Sequence, residues 1–109
     1  MLSPTVMATR NIFFARAELS QLLTVYGYMV AAGHWRDYAM DALPDRALFS
    51  VYRRASEAPL YQIEKKPALA RRQGAFSVIA QGGLILRRGH ELEAVLRVFD
   101  RKLMRVVGE

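Results

Sequence analysis

The residues whose types and spacing could do chemistry are four dibasic pairs in the middle of the chain. They are Arg53-Arg54, Lys65-Lys66, Arg71-Arg72 and Arg87-Arg88. Between residues 53 and 88 only Glu57 and Glu64 oppose them, so this stretch holds the whole net charge of +6. Guanidinium and ammonium groups bind phosphate and other anions. The pattern therefore predicts a contact surface for an acidic partner such as nucleic acid or anionic lipid.

The remaining side chains show no catalytic or metal-binding pattern. His34 and His90 are the only imidazoles, and nothing in the spacing groups them with further metal ligands. The sequence contains no phosphate-binding loop, dinucleotide-binding fingerprint or nucleophile motif. The absence of cysteine excludes disulfides, thiolate zinc sites and iron–sulfur clusters, and it fits a reducing cytoplasm. We therefore predict no catalytic residue, no metal and no cofactor, and we favour binding over catalysis.

The composition predicts one folded domain. Of the 109 residues, 52% are hydrophobic and 24% charged, so the chain can bury enough apolar area to offset the entropy lost on folding. We expect residues 1–11 to form a flexible N-terminal tail and residues 12–109 to form a single α+β domain. The longest uncharged run, residues 19–34, is too short to cross a membrane, and the first fourteen residues lack the features of a secretion signal. We expect a cytoplasmic protein without a membrane span.

The elements that must position the basic pairs follow from the hydrophobic periodicity. Apolar residues at three- and four-residue spacing predict an N-terminal helix that ends at Gly33, and they are Leu19, Leu22, Leu23, Tyr26, Met29 and Val30. A period of two then predicts five short strands over residues 37–43, 46–54, 60–64, 75–81 and 84–88. Pro44-Asp45 suits a turn, Pro67 can open one helical turn, and Gly82-Gly83 suits a primed hairpin turn. A C-terminal helix follows, with the stripe Leu92, Val95, Leu96, Phe99, Leu103 and Val106.

This order predicts an α+β fold, in which an antiparallel meander of about five strands has both helices on one face. The covered face is expected to hold Tyr38, Met40, Phe49, Val51, Tyr61, Ile63, Phe76, Val78, Leu84 and Leu86. The opposite face is half apolar, and its apolar residues are Leu48, Tyr52, Leu60, Ile79 and Ile85. Such a face could bind a second copy or a protein partner, or it could hold the scattered apolar residues common on protein surfaces.

Strand directions in a meander bring six basic side chains to the end of the sheet near Pro44-Asp45. These are Lys65, Lys66, Arg71, Arg72, Arg87 and Arg88. The second helix starts at the same end, so Gly89 and His90 are expected to add a helix N-terminus to an anion site. An alternative is that the pairs only solvate strand ends, block edge pairing and form salt bridges with Glu64, Glu57 or Asp45. Tyr52, Trp35 and Tyr61 lie near basic residues and could stack on bases, although Trp35 and Tyr61 also fit a core.

Six stretches of the sequence resemble a bacterial family of uncharacterised proteins, a domain of unknown function. They are W-R-D-Y-A-M-D at 35–41, F-S-V-Y-R-R-A-S-E at 49–57, P-L-Y-Q-I-E-K at 59–65, L-A-R-R-Q-G-A-F-S-V at 69–78, R-R-G-H-E-L at 87–92 and L-R-V-F-D-R-K-L at 96–103. The resemblance implies small, mostly proteobacterial, cytoplasmic proteins with no assigned activity, so it transfers no functional residue. That family has an acidic residue at the position of Lys66.

The sequence thus predicts a small non-enzymatic binding module that contacts nucleic acid or another polyanion through the basic end of its sheet. The alternative is a structural or adaptor subunit that uses the half-apolar sheet face in a homodimer or with a protein partner.

Overall fold

The structure, a computed structural model, describes residues 10–54 and 58–108, and it describes side chains as far as residue 100. Helix α1 spans Arg16–Ala31, and five strands follow: β1 Asp37–Ala42, β2 Ala47–Tyr52, β3 Tyr61–Lys65, β4 Phe76–Ala80 and β5 Ile85–Gly89. A single 3₁₀ turn occupies Pro67–Leu69, a short loop at Gln81–Gly83 connects β4 to β5, and helix α2 spans Leu92–Gly108. The predicted α+β order of helix, five strands and helix is confirmed.

Helix α1 starts and ends where its terminal residues can satisfy free backbone groups. The backbone N–H of Ala15 donates to Glu18 Oε1 at 2.7 Å, so this glutamate closes the first turn. Gly33 ends the helix with a φ of +83°, which glycine adopts without a side-chain clash. The buried stripe is narrower than predicted, because Leu22 and Met29 are buried while Leu23 and Val30 remain exposed.

The five strands form one antiparallel meander in the order β1-β2-β3-β4-β5. At the end of the sheet near Pro44, the register aligns Ala47 with Lys65, Lys65 with Phe76, and Phe76 with Gly89. Both helices cover one face of the sheet, as predicted. The buried cluster on that face joins both helices to the strands, and it contains Leu22, Met29, Trp35, Phe49, Val51, Ile63, Ala75, Phe76, Val78, Leu92, Val95, Leu96 and Phe99.

Aromatic rings hold the centre of this core. Trp35 is 2% exposed and meets Phe99 edge to face, with ring centroids 4.9 Å apart. Tyr26 lies beside Tyr38 at the margin, and its hydroxyl donates to the carbonyl oxygen of Arg36 at 2.6 Å. Burial raises the pKa of Tyr26, and the neighbouring Asp37 and Tyr38 raise it further. An aromatic pair such as Trp35 and Phe99 stabilises the fold by about 0.5–1.5 kcal/mol beyond the contribution of the buried area.

The prediction for β5 was wrong about which residues face the helices. The register pairs Phe76 with Gly89, Ser77 with Arg88 and Val78 with Arg87. It then shifts between Val78 and Ile79. Because of this bulge, Arg88 lies on the uncovered face with Ser77, and Arg87 lies on the side of Val78. Leu84 and Leu86, expected in the core, are 64% and 39% exposed.

The β4–β5 connection also differs slightly from the two-residue turn predicted for Gly82-Gly83. Gln81, Gly82 and Gly83 form the loop, and both glycines take a positive φ. The backbone N–H of Ala80 donates to the carbonyl oxygen of Leu84 at 2.7 Å. The need for glycine was therefore foreseen, but the loop length was not.

Candidate functional site

A tight backbone contact joins the loop between β3 and β4 to the start of α2. Gly74 has a φ of +100°, and a Cβ built on it would lie 2.6 Å from the backbone nitrogen of His90 and closer still to the carbonyl group of Gly89. Only glycine fits there. The 3₁₀ turn after Pro67 directs the loop into this contact, because the carbonyl oxygen of Leu69 accepts from the backbone N–H of Gly74 at 2.9 Å. The loop that carries Arg71 and Arg72 is thereby fixed next to β5.

The strand register and this contact bring the predicted basic residues to one end of the sheet, which we call the basic end. Its residues are Lys65, Lys66, Arg71, Arg72, Arg87 and Arg88. Arg71, Arg72 and Arg87 are exposed, whereas Lys66 and Arg88 are half-buried. Arg53 and Arg54 follow β2 at the opposite end of the sheet and are exposed.

Lys65 differs from the other members of the basic end, because it already has a carboxylate partner. Its Nζ contacts Glu18 Oε1 at 2.8 Å and donates to the carbonyl oxygen of Phe13 at 3.0 Å. The two charged side chains are 19% and 21% exposed. Lys65 therefore ties β3 to the first turn of α1 and to the segment before it.

Polar side chains cross the uncovered face of the sheet near the basic end. We call this face, opposite the helices, the open face. Glu64 on β3 aligns with Ser77 on β4, and Ser77 aligns with Arg88 on β5. Glu64 accepts from Arg46 Nη1 at 3.2 Å, and Arg46 Nε lies 4.0 Å from Asp45 Oδ1. Glu64 is 5% exposed and Ser77 0%, so neighbouring side chains cover both although no helix does.

Three polar atoms of this group are buried without a hydrogen-bond partner. They are Arg46 Nε, Ser77 Oγ and Arg88 Nη1. Within residues 10–54 and 58–100, Arg88 has no carboxylate at ion-pair distance. A buried donor without an acceptor costs about 1–3 kcal/mol, so the open face carries unused hydrogen-bonding capacity beside the basic end.

The N-terminus of α2 is a poorer anion site than the sequence suggested. A groove of about 440 Å³ borders it, and its lining includes Glu18, His90, Glu91 and Glu93. Glu18 is already paired with Lys65, but the full negative charges of Glu91 and Glu93 repel an anion and outweigh the partial charge of a helix terminus. A second groove of about 430 Å³ runs between α1 and α2, and its lining includes Glu93, Arg97 and Asp100. Acceptors and charges of both signs line this groove, so it favours no anion.

The predicted partner face is only partly available for contact. Leu48, Tyr52 and Ile79 are half-buried, Leu60 packs against the buried core, and Ile85 is 46% exposed. Buried polar residues interrupt the apolar ones, since Ser50 is 2% exposed and accepts from Gln62 Nε2 at 3.1 Å. A continuous apolar run instead lies along the edge strand, where Leu84, Ile85 and Leu86 are all exposed.

The aromatic residues considered for base stacking are mostly occupied by the core. Trp35 is buried, and Tyr61 packs against Trp35 and Phe99 with ring centroids 6.3 and 5.1 Å away. Tyr52 remains half-buried beside Arg53. The site therefore presents cations without a row of aromatic platforms in the part of the chain that the structure describes.

Two contributors to the site were missed by the sequence prediction. Arg46 lies two residues before Leu48, so the alternation that placed Leu48 on the open face would also have placed Arg46 there. Ser77 lies two residues before Ile79, so the same alternation puts it on the open face, but its burial depends on side chains of the neighbouring strands.

Neither a metal-ligand cluster nor a membrane-spanning helix occurs in the described residues. Among residues 10–54 and 58–100, no three histidine, aspartate or glutamate side chains group as metal ligands. None of the described helices combines the length and the apolar content needed to cross a membrane.

Comparison with known proteins identifies a family but no activity. No curated protein and no solved structure matches the chain. A family model described as a protein of unknown function, DUF2794, matches residues 12–96, a stretch that includes the whole sheet, α1 and the start of α2. The resemblance seen in the sequence is thus confirmed at the level of the family. The chain belongs to the DUF2794 family, whose function is unknown.

Proposed function

We propose that this chain is a cytoplasmic, non-enzymatic module that binds a polyanion, with nucleic acid as the first candidate, through its basic end. One observation carries the proposal. Five cations lie at one end of the sheet, and none of them has an ion-pair partner among the described residues. They are Lys66, Arg71, Arg72, Arg87 and Arg88. Cations spread only for solubility would be expected to alternate with carboxylates, as the remainder of the sequence does.

Each member of the basic end has its own role in this proposal. Arg71 and Arg72 contact phosphates from the loop, Arg87 and Arg88 contact them from β5, and Lys66 contacts them from the position after β3. Lys65 acts indirectly, since its ion pair with Glu18 holds α1 against the end of β3.

The contacts are expected to be with the phosphate backbone and not with bases. Trp35 and Tyr61 are committed to the core, so base stacking contributes little. Phosphate contacts position a nucleic acid without reading its sequence. We therefore expect weak sequence preference and strong dependence on salt.

Salt dependence of binding to a short labelled duplex tests the proposal. In fluorescence anisotropy titrations, the logarithm of the affinity should fall linearly with the logarithm of the salt concentration, by about 0.9 for each phosphate contact. The double variant Arg71→Gln with Arg72→Gln should make this slope shallower by roughly 1.8 if both residues contact phosphate.

The opposite end of the sheet provides a matched control. The double variant Arg53→Gln with Arg54→Gln removes the same charge from an equally exposed dibasic pair at the other end. It should leave the slope close to that of the wild type. Equal losses in the two double variants would mean that net charge and not the basic end governs binding, and absence of binding at low salt would refute the proposal.

A second candidate function is association through the edge of the sheet. An exposed apolar run covers the start of β5 and the residue before it, and it consists of Leu84, Ile85 and Leu86. Strand β5 has a sheet neighbour on only one side. An exposed apolar edge strand can pair with the same strand of a second copy. Light scattering after size-exclusion chromatography should then give a dimer at low and high salt, which Ile85→Lys should dissociate. A wild-type monomer at high concentration would exclude this candidate.

A further inference from the structure

The two edge strands of the sheet carry opposite charges. The edges are β1 and β5, since each has a sheet neighbour on only one side. Strand β1 holds Asp37 and Asp41, both exposed, and no basic residue. Strand β5 holds Arg87 and Arg88 and no acidic residue. Between two copies of the chain, like edges therefore repel each other and unlike edges attract.

Both edges also expose apolar side chains. Tyr38 and Met40 on β1, and Leu84, Ile85 and Leu86 at the start of β5, are each between 39% and 64% exposed. Charged residues usually protect an edge strand from pairing. Here they oppose pairing of β1 with β1 and of β5 with β5, and they leave the pairing of β5 with β1 favourable.

The backbone of both edges has groups that point away from the sheet. Leu43 donates to the carbonyl oxygen of Arg46 on β2, so by alternation the N–H and C=O groups of Tyr38 and Met40 point outward. In the described part of the chain, the segment before α1 bonds only to the far end of this edge. On β5, the bond between β4 and the residue before the strand leaves Ile85 pointing outward.

We propose that the β5 edge of one copy pairs with the β1 edge of a second copy, so that the sheet continues from chain to chain. The inference rests on the second candidate function, association through the sheet edge, and it names the strand that β5 meets. Arg88 then pairs with a carboxylate in the assembly, and Arg71, Arg72 and Arg87 remain available to a polyanion.

The direction of the strands determines how the two edges meet. In a meander of five strands β1 and β5 run the same way, so a shift along the sheet pairs them in parallel and keeps every open face on one side. Asp41 and Arg88 both lie on the open face, where they can align. The bulge removes one residue from the β5 ladder, so the same register puts Ile85 opposite Ala39. The outward groups of Ile85 then lie between those of the two neighbours of Ala39.

Two substitutions that each block one edge test the inference. Ile85→Lys on β5 and Met40→Lys on β1 replace exposed side chains, so both variants should keep the thermal midpoint of the wild type. In light scattering after size-exclusion chromatography, the wild type should exceed the mass of a dimer as its concentration rises, because every added copy leaves one edge of each kind free. Each variant alone should be a monomer. An equimolar mixture should form a dimer, since one variant keeps β5 intact and the other keeps β1 intact.

Charge reversal within this mixture tests the ion pair. Asp41→Arg is added to the Ile85→Lys chain, and Arg88→Asp is added to the Met40→Lys chain. Either reversal alone should raise the dissociation constant of the mixed dimer by about tenfold or more, and the two together should recover most of the loss. The control Asp100→Arg makes the same charge change on α2, away from both edges, and should have no such effect.

The outcomes separate this inference from the second candidate function. If Met40→Lys still forms a dimer and Ile85→Lys does not, β5 pairs with itself, so the inference is overturned and the second candidate stands. A mixture that stays monomeric overturns the inference as well. A wild type that is a monomer at high concentration, or association that neither variant reduces, overturns both. Should Met40→Lys fail to fold, Asp41→Arg takes its place, and a wild-type mass in that variant refutes the pairing of β5 with β1.

Discussion

Replacing Gly74 with alanine tests the contact on which the geometry of the basic end depends. The backbone of Gly74 has a φ of +100°, and the new Cβ would overlap the carbonyl group of Gly89 and lie 2.6 Å from the nitrogen of His90. All the atoms it meets belong to the backbone, so no side chain can rotate away. Either the loop that carries Arg71 and Arg72 or the junction of β5 and α2 must move.

The expected cost has two parts. A left-handed backbone costs a residue with a Cβ roughly 1–2 kcal/mol, and forcing an extra carbon into a packed contact costs roughly 1–3 kcal/mol more. The free energy of unfolding should therefore fall by about 2–5 kcal/mol, out of about 5–15 kcal/mol for a domain of this kind. Gly82 is the matched control, since it has a φ of +84° and nothing lies within 4 Å of its built Cβ. Gly82→Ala should lower the free energy of unfolding only by the backbone part, roughly 1–2 kcal/mol.

Urea denaturation followed by tryptophan fluorescence measures both variants. Trp35 is the single tryptophan and is 2% exposed, so its emission reports unfolding of the core. With a slope of about 1.5 kcal/mol/M, the midpoint for Gly74→Ala should drop by roughly 1–3 M. The duplex affinity of the folded variant should also fall, because the loop is displaced. If Gly74→Ala is no less stable than Gly82→Ala, the backbone contact is not made and the inferred placement of Arg71 and Arg72 is wrong.

Single contacts elsewhere in the domain give three further predictions. Gly27→Ala in α1, where nothing lies within 4 Å of the built Cβ, should raise the free energy of unfolding by about 1 kcal/mol in urea denaturation. Tyr26→Phe should lower it by about 1 kcal/mol at neutral pH through loss of the bond to Arg36. Because the pKa of Tyr26 is raised in the folded protein, the hydroxyl loses its proton at a lower pH in the unfolded chain than in the folded one. The free energy of unfolding of the wild type should therefore decline above about pH 10, and that of Tyr26→Phe should decline less. Lys65→Met should lower the free energy of unfolding by about 1–2 kcal/mol in thermal melts. Adding Glu18→Gln to this variant should lower it little further, because both substitutions remove the same ion pair.

Much of the fold could be predicted because its elements are strongly periodic. The strands of the meander fall within one or two residues of the stretches with a period of two, and Leu92, Val95, Leu96 and Phe99 are buried as the α2 stripe required. Leu103 and Val106, the other members of that stripe, lie outside the described side chains. The residues of the predicted tail up to residue 9 are also outside the described residues, whereas Asn11 donates to the carbonyl oxygen of Ala42 at 3.0 Å.

A register shift explains part of the error on β5. Alternation assigns faces correctly only while the register continues, and a bulge moves every later side chain to the other face. The shift between Val78 and Ile79 depends on how β4 and β5 pair, which the local sequence of β5 does not specify. The bulge falls at Leu86 and moves Arg87 to the side of Val78, while Ile85 still pairs with Ile79 on the open face. Leu84 precedes β5, and it is exposed although its carbonyl oxygen accepts from the backbone N–H of Ala80.

The candidate site was predictable in position but not in detail. Chain direction in a meander was enough to bring Lys65, Arg71 and Arg87 to one end. Lys65 continues the pattern of Tyr61 and Ile63 on the helix side, so the alternation already separated it from Lys66. Its partner Glu18 could not be identified, because the position of α1 over the end of β3 is a tertiary feature.

The contact between Gly74 and Gly89 also bears on how this surface can evolve. Main chain meets main chain there, so the relative position of the loop and β5 does not depend on the side chains that project from them. Substitutions at exposed positions such as Arg71, Arg72 and Arg87 should therefore cost little stability, while Gly74 tolerates almost no replacement. A protein built in this way can acquire a different ligand by exchanging a few surface charges, and the geometry that presents those charges is inherited unchanged.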